Sequence, residues 1–224
     1  SSAASDVYKR QRHQLHEVIR LSGMNLVIND VDMPLIIKVA SIQKERMQVY
    51  FIDNDEYFKL ENSFDKGGKL YPDNDERCIF FAKGILETVR KLNWSPDLIH
   101  IQGWLGSLLP LYLHTYYKED PIFSHTKVIT SFLREPFEGN LNEALLKKMA
   151  FDDITAKIAP ELKTPNSISL IKIASRYSDA ITTVKGVLPT ELISYIESLQ
   201  KPFLMEEEES LQKAYPPFYK EIIH

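Results

Sequence analysis

Residues 94–113 read WSPDLIHIQGWLGSLLPLYL. Pro96 ends the segment before it, and DLIHIQ (97–102) is a short apolar run with the length of a buried strand rather than of a helix. Gly103 follows at once, and Trp104–Lys118 is mostly apolar and reads as a helix. A buried strand that turns into an apolar helix across one glycine leaves no room for a hairpin return. It is the first half of a β–α unit, and such units build parallel sheets.

The pattern repeats on both sides. Upstream, Cys78, Phe81, Ala82, Ile85, Leu86 and Val89 recur at helical spacing and mark one buried face. Asp73 stands at the N-cap position of that helix, with Glu76 at capping-box spacing. Arg90 and Lys91 sit at its end, where the helix dipole favours cations. Before it, Met33–Ile42 and Met47–Asp53 are β-rich runs close enough to pair as a hairpin, and the loop containing Gly67 and Gly68 reads as a turn. Downstream, Lys127–Leu133 and Asp179–Lys185 read as strands. Leu141–Phe151, Ser167–Tyr177 and Thr190–Leu199 read as helices. The fold class is α/β: a Rossmann-like, mostly parallel sheet with helices on both faces. In such sheets ligands lie beyond the carboxyl ends of the strands. The positions to inspect are therefore Asp53-Asn54, His100–Trp104, Leu133–Gly139 and Lys185-Gly186.

The 27 basic and 31 acidic residues leave a net charge of −4, which argues against nucleic acid or an anionic membrane as partner. No run approaches the length of an apolar membrane span. The single cysteine, Cys78, forbids an internal disulfide and fits a reducing, cytoplasmic setting. It lies on the apolar helix stripe and reads as a small buried hydrophobe. No glycine pattern forms a phosphate-binding fingerprint. His13, His16, His114, His125 and His224 show no ligand spacing with carboxylates or cysteines, so no metal and no cofactor is expected. Glu206–Glu209 reads as a solvated charge run, and residues 205–224 as a connection followed by a short docking helix.

Several stretches resemble the bacterial glycogen and starch synthases, retaining glucosyltransferases that extend α-1,4-glucan from ADP-glucose. VYFIDNDEYF (49–58) is similar to the family's VYFIDNPEYF, and YPDNDERCIFF (71–81) to its Y-x-D-N-x-x-R-F-x-x-F. Residues 94–113 are similar to its W-x-P-D-V-V-H-A-H-D-W-H-T-A-L-x-P-x-Y-L, and YSDAITTV (177–184) to its Y-A-D-x-V-T-T-V. The resemblance runs from Val49 to Leu199 and implies the N-terminal half of a two-lobed GT-B fold, close to one-domain relatives. Its implied partners are ADP-glucose and α-glucan, with a partner chain as a possible source of the second lobe.

The implied substrate-binding residues are His100, Gln102, Trp104, Asp73 and Arg77. No catalytic residue is assigned, because the family's positions differ here. Its H-A-H-D-W-H reads His100-Ile101-Gln102-Gly103-Trp104-Leu105, and its T-I-H-N-L-A-Y-Q-G reads Ser131–Gly139 with Leu133-Arg134 at His-Asn. Gly103 and Leu105 cannot act as a carboxylate and an imidazole. Two readings stand: a divergent glucosyltransferase, or a non-catalytic glucan- or nucleotide-binding module that keeps the fold.

Ser1–Gln11 (SSAASDVYKRQ) resembles the translation of a transposon-end adapter from sequencing libraries and is set aside. On that reading the gene is cut at Arg12, ahead of which the family carries a lysine- and glycine-bearing phosphate loop. The expected organisation is residues 1–11 as adapter, 12–204 as the synthase-like domain and 205–224 as tail.

Overall fold

The computed structural model describes residues 18–42, 47–58 and 69–224. Val18–Ile28 (β1) and Val31–Ile42 (β2) form an antiparallel hairpin closed by Asn29 and Asp30, both left-handed with φ of 51° and 62°. Two left-handed residues in succession give a turn whose twist matches the strands, and Asn and Asp tolerate that region better than other side chains. Met47–Asp53 (β3) pairs antiparallel with β2, from Ile36 opposite Asp53 to Ile42 opposite Met47. The expected hairpin pairing of β2 and β3 is present, but these strands form their own three-stranded sheet, apart from the parallel one. β1 lies outside the sequence-based expectation.

Asn74–Lys91 (α1) packs on the inner face of this sheet. Leu26, Ile28, Met33, Leu35 and Ile37 share one core with Cys78, Ile79, Phe80, Ala82 and Leu86. Each of the Leu, Ile, Met and Phe side chains among them contributes about 1.5–3 kcal/mol by leaving water. Cys78 is fully buried, and burial pushes its thiol far up from the ordinary range. The start of α1 corrects one expectation. Asp73 makes no side-chain cap hydrogen bond, and its φ/ψ of −101°/13° is not that of a capping residue. Its carboxylate instead takes both Nε and an Nη of Arg77, at 3.1 Å each. Glu76 does not complete a capping box, because it binds Lys148 Nζ at 2.8 Å and accepts from the Tyr57 hydroxyl at 2.7 Å.

The second sheet is parallel throughout. Leu98–Gln102 (β4), Lys127–Phe132 (β5), Ala180–Val184 (β6) and Phe203–Glu206 (β7) lie side by side in chain order. Between β4 and β5 the expected long helix is broken into a 3₁₀ turn, Trp104–Gly106, and a short helix, Leu109–His114 (α2). Pro110 is the reason: it has no N–H to give to the turn before it. Between β5 and β6, helix starts only at Leu145–Met149 (α3), because Asn142 Oδ1 holds the Ala144 N–H in a turn at 2.9 Å. Ser167–Tyr177 (α4) runs as expected, capped by Asn166 in a reciprocal box with Ser169. Thr190–Ser198 (α5) joins β6 to β7.

The tail departs from expectation. Part of the predicted solvated connection is β7, and Glu208–Ile223 (α6) is a full helix. α4 and α5 cover one face of the sheet through Phe132, Ile181, Leu192 and Ile196. α6 covers the other through Ile129, Ala180, Phe218 and Val184, Leu211, Tyr215.

One buried ion pair ties the layers together. Lys83 Nζ on α1 lies 2.6 Å from Asp152 Oδ1 and donates to the Val27 carbonyl of β1 at 2.9 Å. The other Asp152 oxygen accepts from the Tyr112 hydroxyl of α2 at 2.8 Å.

Candidate functional site

The carboxyl edge of the parallel sheet gathers the ends of β4, β5 and β6. At β4, Gln102 is exposed and Gly103 adopts φ +89°, which L side chains rarely adopt, with nothing within 4 Å of where a Cβ would stand. The chain then tightens. A Cβ on Gly106 would lie 2.5 Å from Ile101 Cγ2, so the 3₁₀ turn presses on its own strand only because residue 106 is glycine. This turn carries Trp104 over the edge, where its half-buried ring lies 4.9 Å from the Phe137 ring.

Phe137 belongs to the loop after β5. Ser167 Oγ holds it by donating to the Phe137 carbonyl at 2.7 Å, and a Cβ on Gly139 would lie 3.7 Å from Leu70 Cδ1. Leu133 turns inward against Val184, Leu211 and Tyr215, while Arg134 and Glu135 are exposed. At β6, Lys185 is exposed and faces Glu207 at 3.4 Å. The edge therefore presents an aromatic pair, an exposed amide, an open left-handed glycine and scattered charge of both signs. Such a surface suits a neutral, hydroxyl-rich ligand: rings supply flat apolar area, and an amide both donates and accepts.

The five residues named from sequence do not form one cluster. Gln102 and Trp104 lie at the edge. Asp73 and Arg77 bind one another at the start of α1, where the Arg77 guanidinium stacks 4.6 Å over the Tyr71 ring and is almost wholly buried. His100 points away from the edge. Its Nδ1 lies 2.5 Å from the Tyr219 hydroxyl and its Nε2 2.5 Å from Ser131 Oγ, beneath α6. Asn54, after β3, is also committed elsewhere. It donates to the Pro34 carbonyl at 2.7 Å and accepts from the N–H groups of Glu56 and Tyr57.

Phe137 was not named from sequence, although it occupies the position of the family's Tyr in L-A-Y-Q-G. Among the described residues no group of three His, Cys, Asp or Glu side chains is placed to hold a metal ion. His13, His16 and the Gly67-Gly68 turn lie outside the described residues.

The fold has a solved counterpart. The catalytic domain of starch synthase IV from Arabidopsis thaliana, bound to ADP and acarbose, superposes with a TM-score of 0.66 at 17% identity over 87% of this chain and 41% of that one. A parallel sheet layered between helices, with its carboxyl edge open, is here one lobe of a GT-B glycosyltransferase fold. The family described as starch synthase catalytic domain matches residues 3–202, a span that begins inside the segment set aside as adapter. The chain belongs to that family. Glycogen synthase from Chlorobium limicola is 29% identical over 186 residues, 82% of this chain and 37% of that protein. Glycogen synthase from Chlorobium chlorochromatii is 34% identical over 152 residues, 65% of this chain and 30% of that protein. The chain thus spans well under half the length of the relatives it matches. Among the described residues no helix is long and apolar enough to cross a membrane.

Proposed function

We propose that this chain is the acceptor-side lobe of a glycogen synthase-type glucosyltransferase, with ADP-glucose as donor and α-1,4-glucan as acceptor, acting in the cytoplasm beside a second lobe. The observation that carries the reading is the aromatic pair Trp104–Phe137 standing over the open carboxyl edge next to Gln102. In this role Trp104 and Phe137 offer a glucose ring a flat apolar face, and Gln102 exchanges hydrogen bonds with its hydroxyls. Asp73 and Arg77 act from behind, fixing the loop that leads from Tyr71 into α1.

A second reading, a glucan- or nucleotide-binding module without catalysis, is favoured by the groups at the edge. Gly103, Leu105 and Leu133 carry no group able to donate or accept a proton, and Leu105 and Leu133 are turned into apolar packing.

Two measurements separate the readings. The transferase reading predicts incorporation of labelled glucose from ADP-glucose into glycogen by the complete protein with its second lobe; no incorporation above buffer at high protein concentration removes it. The transferase reading and a glucan-binding module both predict maltoheptaose binding by calorimetry, weakened about tenfold or more by Trp104→Ala, whereas a nucleotide-binding module does not. Flat calorimetry at millimolar sugar removes the glucan site.

A further inference from the structure

α6 is fastened to the sheet by a cluster that the proposed sugar site does not use. Besides its hydrogen bonds to Tyr219 and Ser131, the His100 ring meets Tyr215 edge-on at 4.8 Å and Tyr219 at 5.5 Å between centroids. The two tyrosines stack 5.6 Å apart with planes 5° from parallel. Ser131 Oγ is hydrogen-bonded to Thr182 Oγ1 and lies 3.3 Å from the Tyr215 hydroxyl. One imidazole on β4 thus joins α6 to β5, and Ser131 carries the link on to β6.

A neutral imidazole fits this setting, because one nitrogen donates, the other accepts, and the hydroxyls rotate to suit. A charged ring must donate from both nitrogens, and it would be a half-buried cation facing only uncharged partners. Those partners are Tyr215 and Tyr219 from α6 and Ser131 from β5, which is in turn hydrogen-bonded to Thr182 of β6. Strand alternation puts two charged side chains on the same sheet face, Lys127 at the head of β5 and Glu206 at the end of β7, and Lys127 is paired with Asp179 at 3.5 Å. Neither is among the ring's contacts. Burial accordingly pushes the His100 pKa down to about 4, and burial also raises that of Tyr219, which keeps the phenol neutral.

The helix itself is built to yield. Pro216 and Pro217 lie inside α6, and each removes a backbone donor. The carbonyls one turn back belong to Gln212 and Lys213, both exposed to water. Leu211, Tyr215 and Phe218 are its buried side chains, with Tyr219 and Ile222 half-buried beside them, so the His100 cluster sits in the middle of its hold on the sheet.

We propose that α6 is a detachable strap governed by the charge on His100: the neutral ring holds the helix on the sheet, and protonation releases it to uncover the face around Ser131 and Thr182. Release is a local opening, distinct from global unfolding.

Hydrogen-exchange mass spectrometry of the full chain at pH 7.5 and pH 5, corrected for intrinsic exchange, tests this. Peptides from α6 should lose at least tenfold protection at pH 5, while peptides from β5 and α4 keep theirs. His100→Gln, which keeps one donor and one acceptor but cannot ionise, should make α6 protection independent of pH. Tyr219→Phe should lower α6 protection at pH 7.5 and move its release to higher pH, and it serves equally if His100→Gln does not fold. Unchanged α6 protection in the native chain, a pH response that survives His100→Gln, or a Tyr219→Phe chain that behaves as native overturns the proposal.

Discussion

The two faces of the parallel sheet are closed by different means. On the α4–α5 face the contact is mainly apolar: Phe132, Ile171, Ile181, Leu192 and Ile196 meet, and the Thr130 and Thr183 hydroxyls beside them bond Ser178 and the Phe132 carbonyl, groups that do not titrate near neutral pH. On the α6 face, apolar side chains share the interface with an imidazole, two phenols and two aliphatic hydroxyls. Apolar burial is insensitive to pH and non-directional, whereas a hydrogen-bonded cluster is only as good as the protonation state of its members. One face therefore holds regardless of pH, and the other carries a contact that conditions can change.

This contrast can be broken by mutation, and the expected effects are graded. Ile181→Ala empties the α4–α5 face and should cost about 2–5 kcal/mol in denaturant unfolding, with the whole lobe affected. An effect confined to α6 would reverse the assignment of the faces. At the carboxyl edge, Gly103→Ala should cost about 1–2 kcal/mol, because the positive φ and not crowding is the obstacle there. A neutral result by thermal unfolding would mean that the backbone there relaxes freely.

On the α6 face, Tyr219→Phe should cost about 1 kcal/mol, seen as local exchange and not as a shift of the global transition. The pH dependence sharpens the same point. An unfolded histidine titrates near its ordinary value of about 6.5. Docked, His100 titrates near 4, so released chains bind more protons between those values. Docking is at full strength above that range, weakens as pH falls through it and weakens no further below it. Smallest of all, Lys185→Ala should change stability by less than about 0.5 kcal/mol, since its pairing with Glu207 is between exposed side chains.

The elements that were legible in the sequence are those whose period reflects burial on the spot. β4, β5 and β6 are short, β-rich runs and α4 is amphipathic, and the structure places them where the pattern does. The misses have separate causes. β1 has outer residues such as Val18 and Ile19 that are exposed and apolar, so its alternation is blurred. Its one clear mark was Asn29-Asp30, a two-residue hairpin turn. β7 is four residues long and merges into glutamates, so its acidic end hid a strand. Asp73 was read as a cap from its spacing, but Arg77 one turn on competes for the same carboxylate, and a bidentate guanidinium contact wins over a single backbone donor.

The candidate site was half legible. Gln102 and Trp104 follow from the rule that ligands gather beyond strand ends. Phe137 needed the loop's path, and the turning of His100 under α6 needed the long-range partner at Tyr219, more than a hundred residues along the chain.

The order of the parallel sheet has a consequence for how the lobe is made. β4, β5, β6 and β7 are neighbours in space in the order of synthesis. A ribosome releasing this chain would hand each of these strands an edge already in place, so among the described residues the four can pair by accretion, each added beside the one before. α6 emerges only after the four strands β4 to β7 that it covers exist.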